Sequence, residues 1–136
     1  MISFVLAAAS CGGGAKPHIS KLAFGTNEAA EPSMATFAID DGIYAVAEVS
    51  NIKSKHSLFF SVTTENVAER EQGAEVMTKS VDTDGSQPAR LHFSVAYPGE
   101  YKIEATLSDD TGKKVDNTFG MITVTGKAPP LESEKD

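Results

Sequence analysis

One cysteine, three histidines and scattered acidic pairs are the residues of this chain with chemistry to offer. Cys11 has no second cysteine to bond, and a single thiolate is a poor start for a zinc site. It stands in "FVLAAASCGGG", Phe4 to Gly14, between a short apolar run and a run of glycines. His18, His56 and His92 read as lying in a tether, a loop and a strand, with no i, i+4 pair of the kind that grips a metal from a helix. Met34, Met77 and Met121 are equally scattered and suit core packing. "DTDGS", Asp82 to Ser86, alternates oxygen ligands as a calcium loop begins, but it lacks the later bidentate glutamate, and an Asp-Gly turn accounts for it. Asp40-Asp41 and Asp109-Asp110 read as turn and strand-start residues. No Gly-x-Ser-x-Gly elbow activates a serine, and no carboxylate pair is singled out as acid and base. The expectation is a protein without catalytic residues, without a cofactor and without a bound metal.

The elements that would carry these residues follow from composition and alternation. A chain of 136 residues with 40% hydrophobic residues, including seven Phe and three Tyr, has room for one domain and one core. A formal charge of −7 argues against nucleic acid, whose phosphates call for clustered Lys and Arg, and against an electrostatic grip on anionic membranes. No apolar stretch attains the roughly 18–20 residues of a membrane-crossing helix. Short β-rich runs recur between turn signals, without a helical stripe. The clearest is Tyr101–Ser108, with Tyr101, Ile103, Ala105 and Leu107 on one face and Lys102, Glu104 and Thr106 on the other. Asp109–Lys113 follows as a hairpin loop, and Val115–Thr125 as a last strand with Phe119 and Met121 on one side. Arg90–Tyr97 alternates with Leu91, Phe93, Val95 and Tyr97 inward, and Ser57–Thr64 runs through Leu58, Phe60 and Val62. Ile43–Ser50, apolar on both faces, reads as a central strand, and weaker runs lie at Leu22–Thr26, Thr36–Ile39 and Ala74–Ser80. Seven or eight strands at this spacing predict an all-β, antiparallel two-sheet sandwich. A short α+β fold stays open, because Glu65–Gln72 could form a helical turn or two.

The N-terminal stretch resembles the end of a bacterial lipoprotein signal peptide. In that family a lipobox of Leu, two small residues and Cys is cut before the cysteine, which then carries acyl chains. Ala8-Ala9-Ser10-Cys11 matches at the small positions and the cysteine, with Ala8 where the family has Leu and no basic residue before Lys16. The resemblance implies a signal peptide over residues 1–10, shortened at its start, a lipidated Cys11, and a flexible tether over 11–19. It also implies the cell envelope as location. Gly12 after the cysteine, where enteric-type bacteria use Asp to retain lipoproteins at the inner membrane, implies the periplasmic face of the outer membrane in a host with two membranes. Two other readings stay open. Ala7-Ala8-Ala9 suits ordinary signal peptidase, leaving Cys11 a free thiol, and the apolar run could open a cytoplasmic domain as a strand.

Farther along, "PGEYKIEATLSDDTGKK", from Pro98 to Lys114, resembles the late strands of bacterial immunoglobulin-like and PKD-like domains. The resemblance implies an immunoglobulin-like sandwich over 20–126, and the charged, two-proline stretch "KAPPLESEKD", Lys127 to Asp136, reads by its composition as a disordered tail over 127–136. The expected function is a non-enzymatic, lipid-anchored envelope protein whose sandwich presents a surface to another macromolecule, expected to be another envelope protein. The alternative is a module that binds a glycan or a metal through loops at one end of the sandwich. Aromatic platforms for sugars are scarce: there is no Trp, Tyr97 and Tyr101 read as core, and Tyr44 alone reads as outward-facing.

Overall fold

A computed structural model describes residues 16–126. The proposed signal peptide, Cys11, most of the tether and the tail therefore lie outside the described residues. Among the described residues there is no helix, and thus none long and apolar enough to cross a membrane.

Eight strands run in chain order: β1 His18–Gly25, β2 Thr36–Ala38, β3 Ile43–Ser50, β4 His56–Val67, β5 Glu75–Thr83, β6 Ala89–Phe93, β7 Gly99–Ser108 and β8 Lys114–Thr125. They form a three-stranded sheet in the order β1-β3-β6 and a five-stranded sheet in the order β2-β8-β7-β4-β5. This is the all-β, two-sheet sandwich that the strand rhythm predicts. All pairs are antiparallel except β2 with β8, where Thr36–Ala38 run parallel to Thr123–Thr125.

Side-chain alternation assembles the core. Ile103, Ala105 and Leu107 of β7, Leu58, Phe60 and Val62 of β4, and Ile43, Ala45 and Ala47 of β3 have no solvent exposure. Ile122 and Val124 of β8 close the same layer, and Leu91 of β6 faces them from the other sheet. At Gly120 of β8 the Phe24 ring of β1 packs directly on the backbone, and an added Cβ would lie 2.6 Å from it. Tyr101, at the start of β7, donates its hydroxyl to the carbonyl of Tyr97 four residues earlier, as in the tyrosine corner of immunoglobulin domains.

Several expected boundaries shift. The tether does not extend to residue 19: His18 and Ile19 pair with Ser50 and Val49, and the Ile19 amide donates to Asp116 Oδ2 at 2.7 Å. Ile19 also packs against the core, which offsets the entropy of ordering this end. Arg90–Tyr97 is not one strand, because the chain leaves the three-stranded sheet after Phe93 and must cross to the other. Val95 stays buried at that crossing, whereas Tyr97, expected inside, is 41% exposed. Glu65–Gln72 forms no helical turns, since β4 continues through Val67 and the loop returns directly to β5. His56 is not in a loop: it opens β4, pairs with Thr83 and is buried.

Candidate functional site

The residues with ligand chemistry do not converge. Among the described residues no three His, Cys, Asp or Glu side chains gather as metal ligands would. His18 turns its Nδ1 to the Lys16 carbonyl, and His56 turns its Nδ1 to that of Ser54, each at 2.9 Å. His92 lies on the opposite sheet, stacked on Tyr44 with ring centroids 4.2 Å apart. Met34 and Met77 pack against the core, while Met121 is on the surface.

The acidic motifs are turns. Asp84 accepts from the Ser86 hydroxyl at 2.6 Å and its amide at 2.9 Å, and these bonds hold its carboxyl below the usual aspartate range. Asp109 accepts from the Thr111 hydroxyl and from the amides of Thr111 and Lys113, and its acidity rises for the same reason. Asp41 accepts from the Ala38 amide at 2.8 Å. Asp82 meets Lys55 at 3.2 Å in an exposed pair, which contributes little in water.

Two poles and two outer faces remain. One pole carries loops 51–55, 84–88 and 109–113, together with the start of β1. An open hollow of about 570 Å³ there is lined by Lys55, Asp82, Asp84 and Ser86. At the other pole a cleft of about 290 Å³ lies beside Tyr97 and Tyr101, and the Arg70 guanidinium stands 4.9 Å from the Tyr97 ring centroid. Burial raises the Tyr101 phenol above its ordinary value, with Arg70 opposing more weakly.

The five-stranded sheet shows the most apolar surface on its solvent face. Phe119 and Met121 of β8 and Phe59 of β4 are 55%, 39% and 42% exposed. The pleat explains this placement. Leu58 and Phe60 turn inward, so Phe59 must turn outward; Gly120 and Ile122 turn inward, so Phe119 and Met121 share the outer side. Between these knobs runs the polar ridge of β7, where Lys102 lies opposite Met121, Glu104 opposite Phe119 and Thr106 opposite both Asn117 and Phe59. The Lys102 ammonium stands 4.6 Å from the Phe119 ring centroid. The Asn117 amide donates to Glu104 Oε2 at 2.9 Å and to Thr106 Oγ1 at 2.8 Å.

The edges of that sheet are less inviting. β2 is only three residues long, and β5 points Lys79 to the core side opposite Phe60, a charge that discourages another strand from adding there. The opposite outer face is covered: the loop after β1 lays Ala30 over Ala23 and Val46, and Arg90 fastens it by donating to the Glu28 carbonyl at 2.7 Å. The outer face of the five-stranded sheet is thus the candidate site. Reading the alternation marks Leu58, Phe60 and Val62 as core, and the off-phase aromatic Phe59 was the signal for the other side.

Fold and surface together define a two-sheet β-sandwich domain with no assembled ligand set among its described residues. No family model matches the sequence, and no curated protein matches it. Among solved structures, the soluble domain of PmoD from Methylocystis sp. ATCC 49242 (Rockwell) is similar, with a TM-score of 0.53 and 9% identity. The match covers 76% of this chain and 89% of that one. At this identity the likeness concerns fold alone.

Proposed function

We propose that the chain is a non-enzymatic, lipid-anchored envelope protein that offers the outer face of its five-stranded sheet to another protein. The observation that carries the reading is the exposure of Phe119, with Phe59 and Met121 on the same face. Large apolar side chains grouped on one sheet face lower their free energy by leaving water, and a partner is the means available to them. The anchor rests on the motif ending in Cys11. β1 enters the domain at the pole of loops 51–55 and 109–113, and the seven residues from Cys11 to Pro17 can span at most about 25 Å. That pole would face the membrane, and the Phe119 face would stand beside the anchor rather than beneath it.

The test has two parts in the native host. Intact-mass analysis should find an N-terminal Cys11 carrying acyl chains; an unmodified Cys11, or one still preceded by Ser10, overturns the anchor. A photo-cross-linking residue at position 119 should yield a discrete protein adduct, whereas one at Tyr44 on the other sheet should not. Equal yields from both positions would overturn the assignment of the face.

A second reading, a glycan site at the pole away from the anchor, draws on the exposed ring of Tyr97. Arg70 already covers that ring, which leaves less of it for a sugar. Calorimetric titration with envelope glycans would favour this reading if Tyr97→Ala abolished binding.

A further inference from the structure

We infer that the partner of the Phe119 face is a second copy of the same chain, held in an isologous dimer whose two-fold axis crosses β7 at Ile103. The inference rests on the reading of this face as an interaction surface and names its occupant.

The middle of the face is charged as well as apolar, and this restricts what can cover it. Lys102 and Glu104 are successive outward residues of β7, about 7 Å apart along the strand. Among the described residues neither forms an ion pair within the chain. The Phe119 ring and the Asn117 amide meet these groups in part, but a purely apolar partner would bury both charges with no opposite charge to offset their desolvation. A suitable partner must set an anion over Lys102 and a cation over Glu104 at that same spacing, with apolar groups beside them.

The chain itself has that pattern. A two-fold axis lying in the interface, perpendicular to the strands at the level of Ile103, runs β7 antiparallel to its own copy. Lys102 then faces Glu104 of the second copy, and Glu104 faces its Lys102. The same operation sets Phe119 against Met121 of the second copy on β8, an aromatic against a thioether. Such reciprocity is the signature of a two-fold interface. An axis parallel to β7 and lying over it would set Lys102 against Lys102 and Glu104 against Glu104, which repel; one between β7 and β8 would leave both charges facing apolar groups. Face-packed sheets cross at about 30°, which keeps these central pairs in register while the sheet corners separate. Four strands of about ten residues present roughly 600 Å² of projected area, at the lower limit of what one side of a stable interface contributes.

Sedimentation velocity of the full chain, in detergent where it is acylated, tests this across micromolar concentrations. The wild type should sediment as a concentration-dependent dimer. Lys102→Glu alone sets four carboxylates together, and Glu104→Lys alone sets four ammonium groups together; each should weaken the dimer by about tenfold or more. The double exchange, Lys102→Glu with Glu104→Lys, restores every pair and should restore the dimer. An equimolar mixture of the two single variants should form a heterodimer. Melting temperatures of all variants report whether the fold is intact, and all these positions are on the surface. A wild type that stays monomeric up to about 100 μM, or single reversals without effect on association, overturns the inference. If the wild type is monomeric while position 119 still cross-links a different protein in the host, the dimer fails and the interaction face stands.

Discussion

The Tyr101 hydroxyl reaches back 2.7 Å to the carbonyl of Tyr97, tying the start of β7 to the segment that crosses between the sheets. The bond explains why these two tyrosines, four residues apart, have opposite fates. Tyr101 is buried with its hydroxyl satisfied, while Tyr97 contributes its backbone and leaves its ring in the solvent beside Arg70.

Tyr101→Phe should lower stability by about 1–2 kcal/mol, because it removes the bond and leaves the Tyr97 carbonyl without that donor. Burial raises the Tyr101 phenol, so the folded state keeps its proton at a pH where the unfolded chain loses it. Its contribution is complete below about pH 10, the unfolded value, and is lost as pH rises through the folded one. Urea midpoints at neutral pH and above pH 10 should show the wild type converging on the variant.

Ile103→Ala should cost about 2–5 kcal/mol, since Ile103 has no exposed surface and lies at the centre of β7. Gly120→Ala should cost about 1–3 kcal/mol by the opposite route, as its methyl would displace the Phe24 ring rather than leave a void. Chemical denaturation of both variants should show lower midpoints, and the wild-type strand order should persist in each.

A chain trimmed to begin at residue 20 should be less stable than one beginning at residue 16, by about 1–3 kcal/mol. The shorter chain lacks Ile19, its contact with the core and its amide bond to Asp116. Equal melting temperatures would return residues 18 and 19 to the tether.

Asp84 and Asp109 have carboxyls made more acidic by turn hydrogen bonds, first from the hydroxyls of Ser86 and Thr111 respectively. A depressed value stabilises the fold above the ordinary aspartate pKa and loses that contribution as pH falls below about 4. Asp109→Ala should therefore flatten the acid limb of the melting-temperature curve and lower its neutral plateau. A chelator should leave the wild-type plateau where it is; a fall would point to Asp82 and Asp84 as metal ligands.

Alternation by itself determined much of this protein. A strand half in water and half in a core repeats every two residues, so Tyr101, Ile103, Ala105 and Leu107 declare their face without any knowledge of their neighbours. The same holds for Leu58, Phe60 and Val62, and for the Asp109–Lys113 hairpin, whose turn residues act locally. The strand ends were not legible, because they depend on partners distant in the chain: His18 and Ile19 become strand only through Ser50, Val49 and Asp116. Tyr97 continued the alternation of Leu91 and Phe93 on paper, but its direction was decided by a crossing between sheets that no local pattern encodes. The candidate site was half visible. Phe59, Phe119 and Met121 stand on outward phases of their strands, a property of single segments. That they lie on one sheet, separated by the Lys102–Glu104 ridge, follows from the pairing of β4 with β7 and of β7 with β8, which only the tertiary structure decides.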